Sequence, residues 1–291
     1  LLNCYSTVDL SADHLAKRDI HYVYFHYYLD GKQHPDDLGQ SMSFPDFYRA
    51  MAEGAETSTS QVNSEEFEAH FTPFLEAGKD ILHVCLSSGI SGVINSANIA
   101  RETLMARYPG RKIYIVDSLG ASSGYGLLMD RLADLRDQGM PLDELKAWTE
   151  EHRLELHHWF FSTDLDYYIK GGRISKTAGM FGKLLGICPL LNMDNLGRLI
   201  PRMKVRTKKK VIREIVARMR ENAVGGAEYN GKCYISHSEC LEDAQAVAAM
   251  VEEAFPRLDG KVLINYVGTT IGSHTGPGTV ALFFWGDERT E

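Results

Sequence analysis

From residue 63 onward, apolar positions along the chain switch between a helical and a strand-like period. In "NSEEFEAHFTPFLEAG", Phe67, Phe71, Phe74 and Leu75 recur on one helical face. Asn63 is placed to cap the first turn, Glu66 three residues later completes a capping box, and Gly78 ends the run. "DILHVCL" (80–86) reads as a buried strand, "SGVINSANIARETLMARY" (91–108) as a helix and "KIYIVDS" (112–118) as the next strand. Helices follow over about 123–138 and 141–153. Strands alternating with helices of this length predict a parallel sheet with right-handed crossovers.

The pattern changes after "LHHWFFSTD" (156–164). "ICPLLNMDNLGRLIPRMKVR" (187–206) reads as two strands joined by a tight Asn-Leu-Gly turn, hence an antiparallel pair. A helix is expected over about 207–221 and another over 241–255, among strands "KCYIS", "KVLINYV" and "TVALFFW". The expected fold is therefore α/β with two domains. A parallel-sheet α/β domain spans 1–158, an α+β domain spans 159–291, and a ligand cleft lies between them.

Charge adds an asymmetry that the periodicity does not show. Of the 291 residues, 31 are Lys or Arg and 39 are Asp or Glu, for a net charge of −8. Yet the stretch from Lys170 to Arg213 holds twelve basic residues and one acid, Asp194, leaving −19 for the remainder. A solvated surface accounts for such clustering; so does a docking site for phosphate or an acidic partner. The five cysteines are scattered without a CxxC pair, no signal-peptide pattern opens the sequence, and no apolar run is long enough to cross a bilayer. Reduced thiols, a cytoplasmic location and no stable membrane insertion are expected.

Several familiar motifs almost match. "GMFGK" (179–183) is too short for a phosphate loop, "GYGLLM" (124–129) lacks the third glycine of a dinucleotide fingerprint, and "GISG" (89–92) is not a nucleophile elbow. Cys233, His237 and Cys240 have loose metal spacing, better read as packing and helix capping, so no metal is assigned. Four stretches remain: hydroxyl-bearing Thr57–Ser60, which reads as a loop leading into a helix; the loop "SSGISG" (87–92); the Gly-Gly turn of "DLDYYIKGGRIS"; and "IGSHTGPG" (271–278). The last reads as a loop whose glycines and proline hold His274 and Thr275 in place. A helix N-terminus after a glycine-rich loop favours an anion, but "SSGISG" offers only neutral donors. Two hydroxyl loops and a histidine loop can converge on one small anionic group, with the basic turn nearby.

In this order, "TSQ" (59–61), "SSGISG", "VDS" (116–118), "KGGRIS" (170–175) and "IGSHTGPG" resemble the DegV family over nearly the whole chain. The opening "YSTVDLS" is similar to that family's "DSTADLP", with Tyr5 for the acid and Ser11 for the proline, and Val62 stands where a proline is usual. The resemblance implies a protein that binds one long-chain fatty acid between its domains. It further implies that some members present the carboxylate to a separate ATP-using fatty-acid kinase subunit. By motif, Thr59, Ser91 and His274 would hold the carboxylate, with Ser88, Gly92 and Thr275 close by. Arg173 and Lys170 would face the phosphate or the partner, and charge extends that face to Arg202, Lys204 and Arg206. No catalytic residue and no cofactor is implied; the fatty acid is the ligand.

The chemistry suits the residues. Burying each CH₂ contributes about 0.8 kcal/mol, so a sixteen-carbon tail supplies roughly 12 kcal/mol before ordering costs. The head then needs orientation more than Coulomb attraction, and hydroxyls, N–H groups and one imidazole supply it. Two other functions compete. A serine hydrolase acting on acyl esters would use Ser91 with His274 as base, without an evident third member. A nucleic-acid module on 170–213 is disfavoured by overall acidity and the lack of interleaved aromatics.

Overall fold

The computed structural model describes residues 1–175 and 186–291. The rejected "GMFGK" motif, and Lys176 and Lys183 of the basic stretch, lie outside the described residues. Strands β1 (Leu2–Tyr5), β2 (Ile20–Val23), β6 (Ile81–Cys85) and β7 (Ile113–Asp117) form a parallel sheet in the order β2-β1-β6-β7. Helix Ser64–Glu76 starts with the predicted capping box: Asn63 takes the Glu66 N–H and Glu66 takes the Asn63 N–H. Its Phe67, Phe71 and Leu75 are buried on the sheet side. Helices Val93–Arg107, Ser122–Asp137 and Leu142–His152 follow as the periodicity predicts.

Between β2 and β6 the chain adds an antiparallel sheet of β3 (His26–Leu29), β4 (Lys32–Pro35) and β5 (Thr57–Ser60), in the order β4-β3-β5. The stretch Thr57–Ser60, expected as a loop, is thus a strand, and Thr59 sits opposite Tyr27. Its four hydroxyl side chains carry no apolar alternation, so the pairing partner, and not the local pattern, decides its state.

The second half builds a six-stranded mixed sheet from β8 (Leu156–Ser162), β9 (Ile187–Met193), β10 (Leu199–Arg206), β11 (Tyr234–His237), β12 (Leu263–Tyr266) and β13 (Thr279–Trp285). The order is β10-β9-β8-β13-β11-β12, and β9 and β10 are the predicted antiparallel pair. Both faces of this sheet are covered. Along β13, Val280, Leu282 and Phe284 join the core made with helices Lys208–Asn222 and Leu241–Ala254, whereas Ala281 and Phe283 face the first lobe's core. Burial on two sides is why "TVALFFW" reads as one continuous apolar run.

Helix Thr269–Thr275 corrects the reading of "IGSHTGPG" as a loop. Its three threonines and Gly272 are poor helix formers. What holds it is packing against β3, β5, helix Phe44–Ala52 and helix Asp166–Lys170. A segment from the second half of the chain therefore nests on the small sheet of the first. Among the described residues no helix is long and apolar enough to cross a membrane.

Candidate functional site

A cavity lies between the lobes, with about 780 Å³ of space between atoms, its open mouth included. Its walls are largely apolar: Leu86 and Ile90 come from the first half of the chain, and Phe160, Met193, Leu199 and Phe283 from the second. Polar side chains gather where it meets an outer groove; Thr59, Ser91 and Arg173 line both.

The mouth is a hydrogen-bonded chain. Arg173 Nη1 lies 3.3 Å from His274 Nδ1 and donates to the Gly171 carbonyl at 2.6 Å. His274 Nε2 meets Thr59 Oγ1 at 2.7 Å. A guanidinium only donates, so Nδ1 must accept, and the imidazole proton sits on Nε2 and goes to Thr59. The Thr59 hydroxyl has thereby spent an acceptor pair and keeps its own proton to donate. Ser91 is in the same state: its Oγ accepts the Val93 N–H at 3.3 Å. Burial, and then the Arg173 charge, hold His274 down to about 4, so the ring is neutral at physiological pH. Burial also lowers Arg173.

Close backbone approach fixes the parts. A Cβ on Gly171 would stand 2.3 Å from His274 Nδ1, so only glycine lets the turn after helix Asp166–Lys170 lie against the imidazole. Gly197, at φ +67° in the β9–β10 turn, brings its carbonyl to Ser87 Oγ at 2.8 Å. This docks the second lobe's hairpin onto the "SSGISG" loop. Behind that contact, the buried Arg289 donates to the carbonyls of Leu119 (2.7 Å) and Asp194 (3.1 Å).

The remaining expected residues lie apart from this hydrogen-bonded chain. Thr275 lines the cavity, but its hydroxyl is directed at the Gly276 carbonyl, 3.5 Å away. Ser88 and Gly92 line the outer groove and are exposed. The Ser88 N–H already meets the Asp117 carboxylate at 3.2 Å, so part of the loop's anion-binding capacity is filled from within the chain. Lys170 is exposed at the end of its helix. Arg202, Lys204 and Arg206 share the exposed face of edge strand β10 and do not line the cavity, and Arg202 Nε donates to Asn192 Oδ1 at 2.7 Å. Cys240 donates its N–H to His237 Nδ1 at 3.2 Å just before helix Leu241–Ala254, but its side chain does not cap the helix as the sequence reading expected.

The hydrolase alternative fails on geometry. Both imidazole nitrogens of His274 are engaged, by Thr59 and Arg173, and Nε2 carries the proton, so no base faces Ser91. Sequence reasoning also missed His158, which lines the cavity. Its Nε2 accepts the Ala121 N–H at 3.2 Å, so Nδ1 donates to the Leu156 carbonyl at 3.1 Å, and burial holds its pKa well below the usual range. Its neighbour His157 stacks on Phe284, on the sheet's other face, and the pair gave no period to read.

Residues 5–287 match a family described as "Uncharacterised protein, DegV family COG1307". A DegV domain-containing protein of Clostridium perfringens is 38% identical over 284 residues, covering 98% of this chain and 96% of the relative. The solved structure "Fatty Acid Binding of a DegV family Protein from Thermus thermophilus" superposes with a TM-score of 0.87 at 27% identity, covering 98% of both chains. The Fatty Acid Kinase (Fak) B3 protein of Streptococcus pneumoniae, loaded with linoleic acid, shares the fold with a TM-score of 0.84 at 20% identity, covering 98% of this chain and 99% of that one.

Proposed function

Because the chain belongs to the DegV family, we propose that it binds one long-chain fatty acid in the cavity between its lobes, taken as residues 1–158 and 159–291. The tail lies against Leu86, Phe160, Met193 and Phe283, and the carboxylate lies at the mouth against Thr59, Ser91 and His274. The observation that carries this reading is the Arg173–His274–Thr59 chain, which ends in a hydroxyl that keeps its own proton to donate, at the mouth of an apolar slot. An anion is the acceptor that completes it. Arg173 polarises the chain without entering a tight ion pair, so the head is aimed more than clamped.

Organic extract of the purified protein, examined by mass spectrometry, is expected to yield one fatty acid per chain. Thr59→Val removes the terminal donor and keeps the shape; palmitate affinity is expected to fall about tenfold, with no change for hexadecane uptake. Equal affinity in the variant would refute the mouth as the carboxylate site.

The protein then presents the carboxylate to a separate ATP-using kinase subunit. There a carboxylate oxygen forms a bond to the γ-phosphorus, the bond to the β-phosphate bridging oxygen breaks, and ADP leaves. Exposed Lys170 and the β10 row of Arg202, Lys204 and Arg206 form the face that steers an acidic partner. Reversing the charge of Lys170 and Arg206 together is expected to leave palmitate binding intact and to slow partner-dependent acyl-phosphate formation at least tenfold. The resemblance of the bound-lipid kinase protein in fold supports this role.

A further inference from the structure

Helix Thr269–Thr275, which carries His274, begins against two buried carboxylates. Asp9 Oδ1 accepts the Gly268 N–H at 3.0 Å, and its Oδ2 takes the Ser122 hydroxyl, which also meets Ser236 at 2.9 Å. Asp36 Oδ2 accepts the Thr270 N–H at 3.4 Å, and the Asp36 N–H is tied to the Phe25 carbonyl at 2.8 Å. A Cβ at Gly268 would stand 2.6 Å from Asp9 Oδ1 and 3.7 Å from Asp36 Oδ1, so the two acids close on the same point of backbone. Both are almost wholly buried. His274 lies four residues past Thr270, about one helical turn away, and both line the cavity.

We infer that Asp9 and Asp36 are positioning residues for the head-group site: by gripping the start of helix Thr269–Thr275 from the first lobe, they set where His274 presents its imidazole. This rests on the fatty-acid reading above. The helix is too short and too rich in threonine to hold itself. Its place depends on what grips its ends. At the far end Gly171 lies against the imidazole, and at the near end the two carboxylates take the first N–H groups.

The grip is tied to protonation. The groups that face the pair are the hydroxyls of Ser6, Ser122, Thr269 and Thr270 and the phenols of Tyr27 and Tyr48; none of these is a cation. Burial pushes both carboxyls up, Asp9 furthest, and the Asp36 charge adds to the rise at Asp9. Two like charges this deep, with no cation among the described residues that face them, are unfavourable, so the pair is biased toward holding a proton. As pH rises through that raised range, negative charge appears one turn from the bound carboxylate and repels it. Burial, and then the Arg173 charge, hold His274 down to about 4, and Arg173 stays cationic, so neither masks the effect at neutral and higher pH.

The test is palmitate titration by calorimetry from pH 6.5 to 9.5 on the wild type, Asp36→Asn, Asp9→Asn and Asp36→Ala, with ¹⁵N spectra of the His274 ring in each ligand-free protein. Wild-type Kd is expected to rise with pH, and the two isosteric Asn variants to flatten the rise. Asp36→Ala, which removes the acceptor as well, is expected to weaken binding at every pH and to shift the Nε2 resonance. Folded variants with the wild-type pH profile and an unshifted imidazole would overturn the assignment. If the wild type takes up no palmitate at any pH, the fatty-acid reading fails instead, while the ring resonances still report on positioning.

Discussion

The two faces of β13 are made from alternate residues of one strand, yet they do opposite work. Val280, Leu282 and Phe284 pack against helices Lys208–Asn222 and Leu241–Ala254 in a closed core. Ala281 and Phe283 look the other way, onto the cavity. The open face carries one small residue, Ala281, beside Phe283, and the closed face carries Val280, Leu282 and Phe284. A sheet that must border an unfilled space gets its rigidity from the side that does not, because close packing on one face fixes the backbone that the other face leaves partly unsupported.

The largest effect expected from breaking this division is on the closed face. Leu282→Ala should cost about 3 kcal/mol in urea unfolding, with palmitate affinity of the folded protein nearly unchanged. A variant that lost binding and kept stability would reverse the roles of the two faces. Next comes Ala281→Leu on the open face. The added side chain occupies tail space worth about two methylenes, so palmitate should bind roughly fifteenfold more weakly while stability moves by less than about 1 kcal/mol. Shorter acids should be affected less, and a uniform loss across chain lengths would point to a distorted sheet.

The smallest effect separates the adjacent histidines on β8. Burial lowers both, His158 on the cavity side well below the ordinary range and His157 on the closed side. A histidine held neutral in the fold stabilises above its unfolded value and loses that contribution as pH falls below about 6.5. His158→Gln keeps an acceptor for the Ala121 N–H and removes the titration. It should therefore lose less stability than the wild type between pH 6.5 and 5, and His157→Gln should gain less than His158→Gln does. Identical acid profiles in all three proteins would show that neither histidine is held neutral by burial.

The sequence exposes what is long and periodic. Helix Ser64–Glu76 with its capping box, the parallel strands β6 and β7, and the β9–β10 pair all announce themselves through spacing and turn chemistry. Strand β5 and helix Thr269–Thr275 do not, because neither is stable by itself: each takes its form from the other and from β3. The polar mouth was legible through short motifs, residue by residue, including His274 and Thr59. The walls were not. Strands buried on both faces show no alternation, so nothing in "LHHWFFS" or "TVALFFW" says which side meets a ligand. Asp9 and Asp36 were missed for a related reason, since an acid in a turn looks solvated until the fold closes over it.

The contact between Thr59 and His274 joins residues 215 positions apart, and Thr57 meets the Ser273 carbonyl across 216. A nascent chain emerging at about 5–20 residues per second can complete its first parallel sheet many seconds before His274 leaves the ribosome. Throughout that interval β5 waits for the helix that will cover it. The mouth thus matures well after the first parallel sheet, once the chain through His274 has emerged.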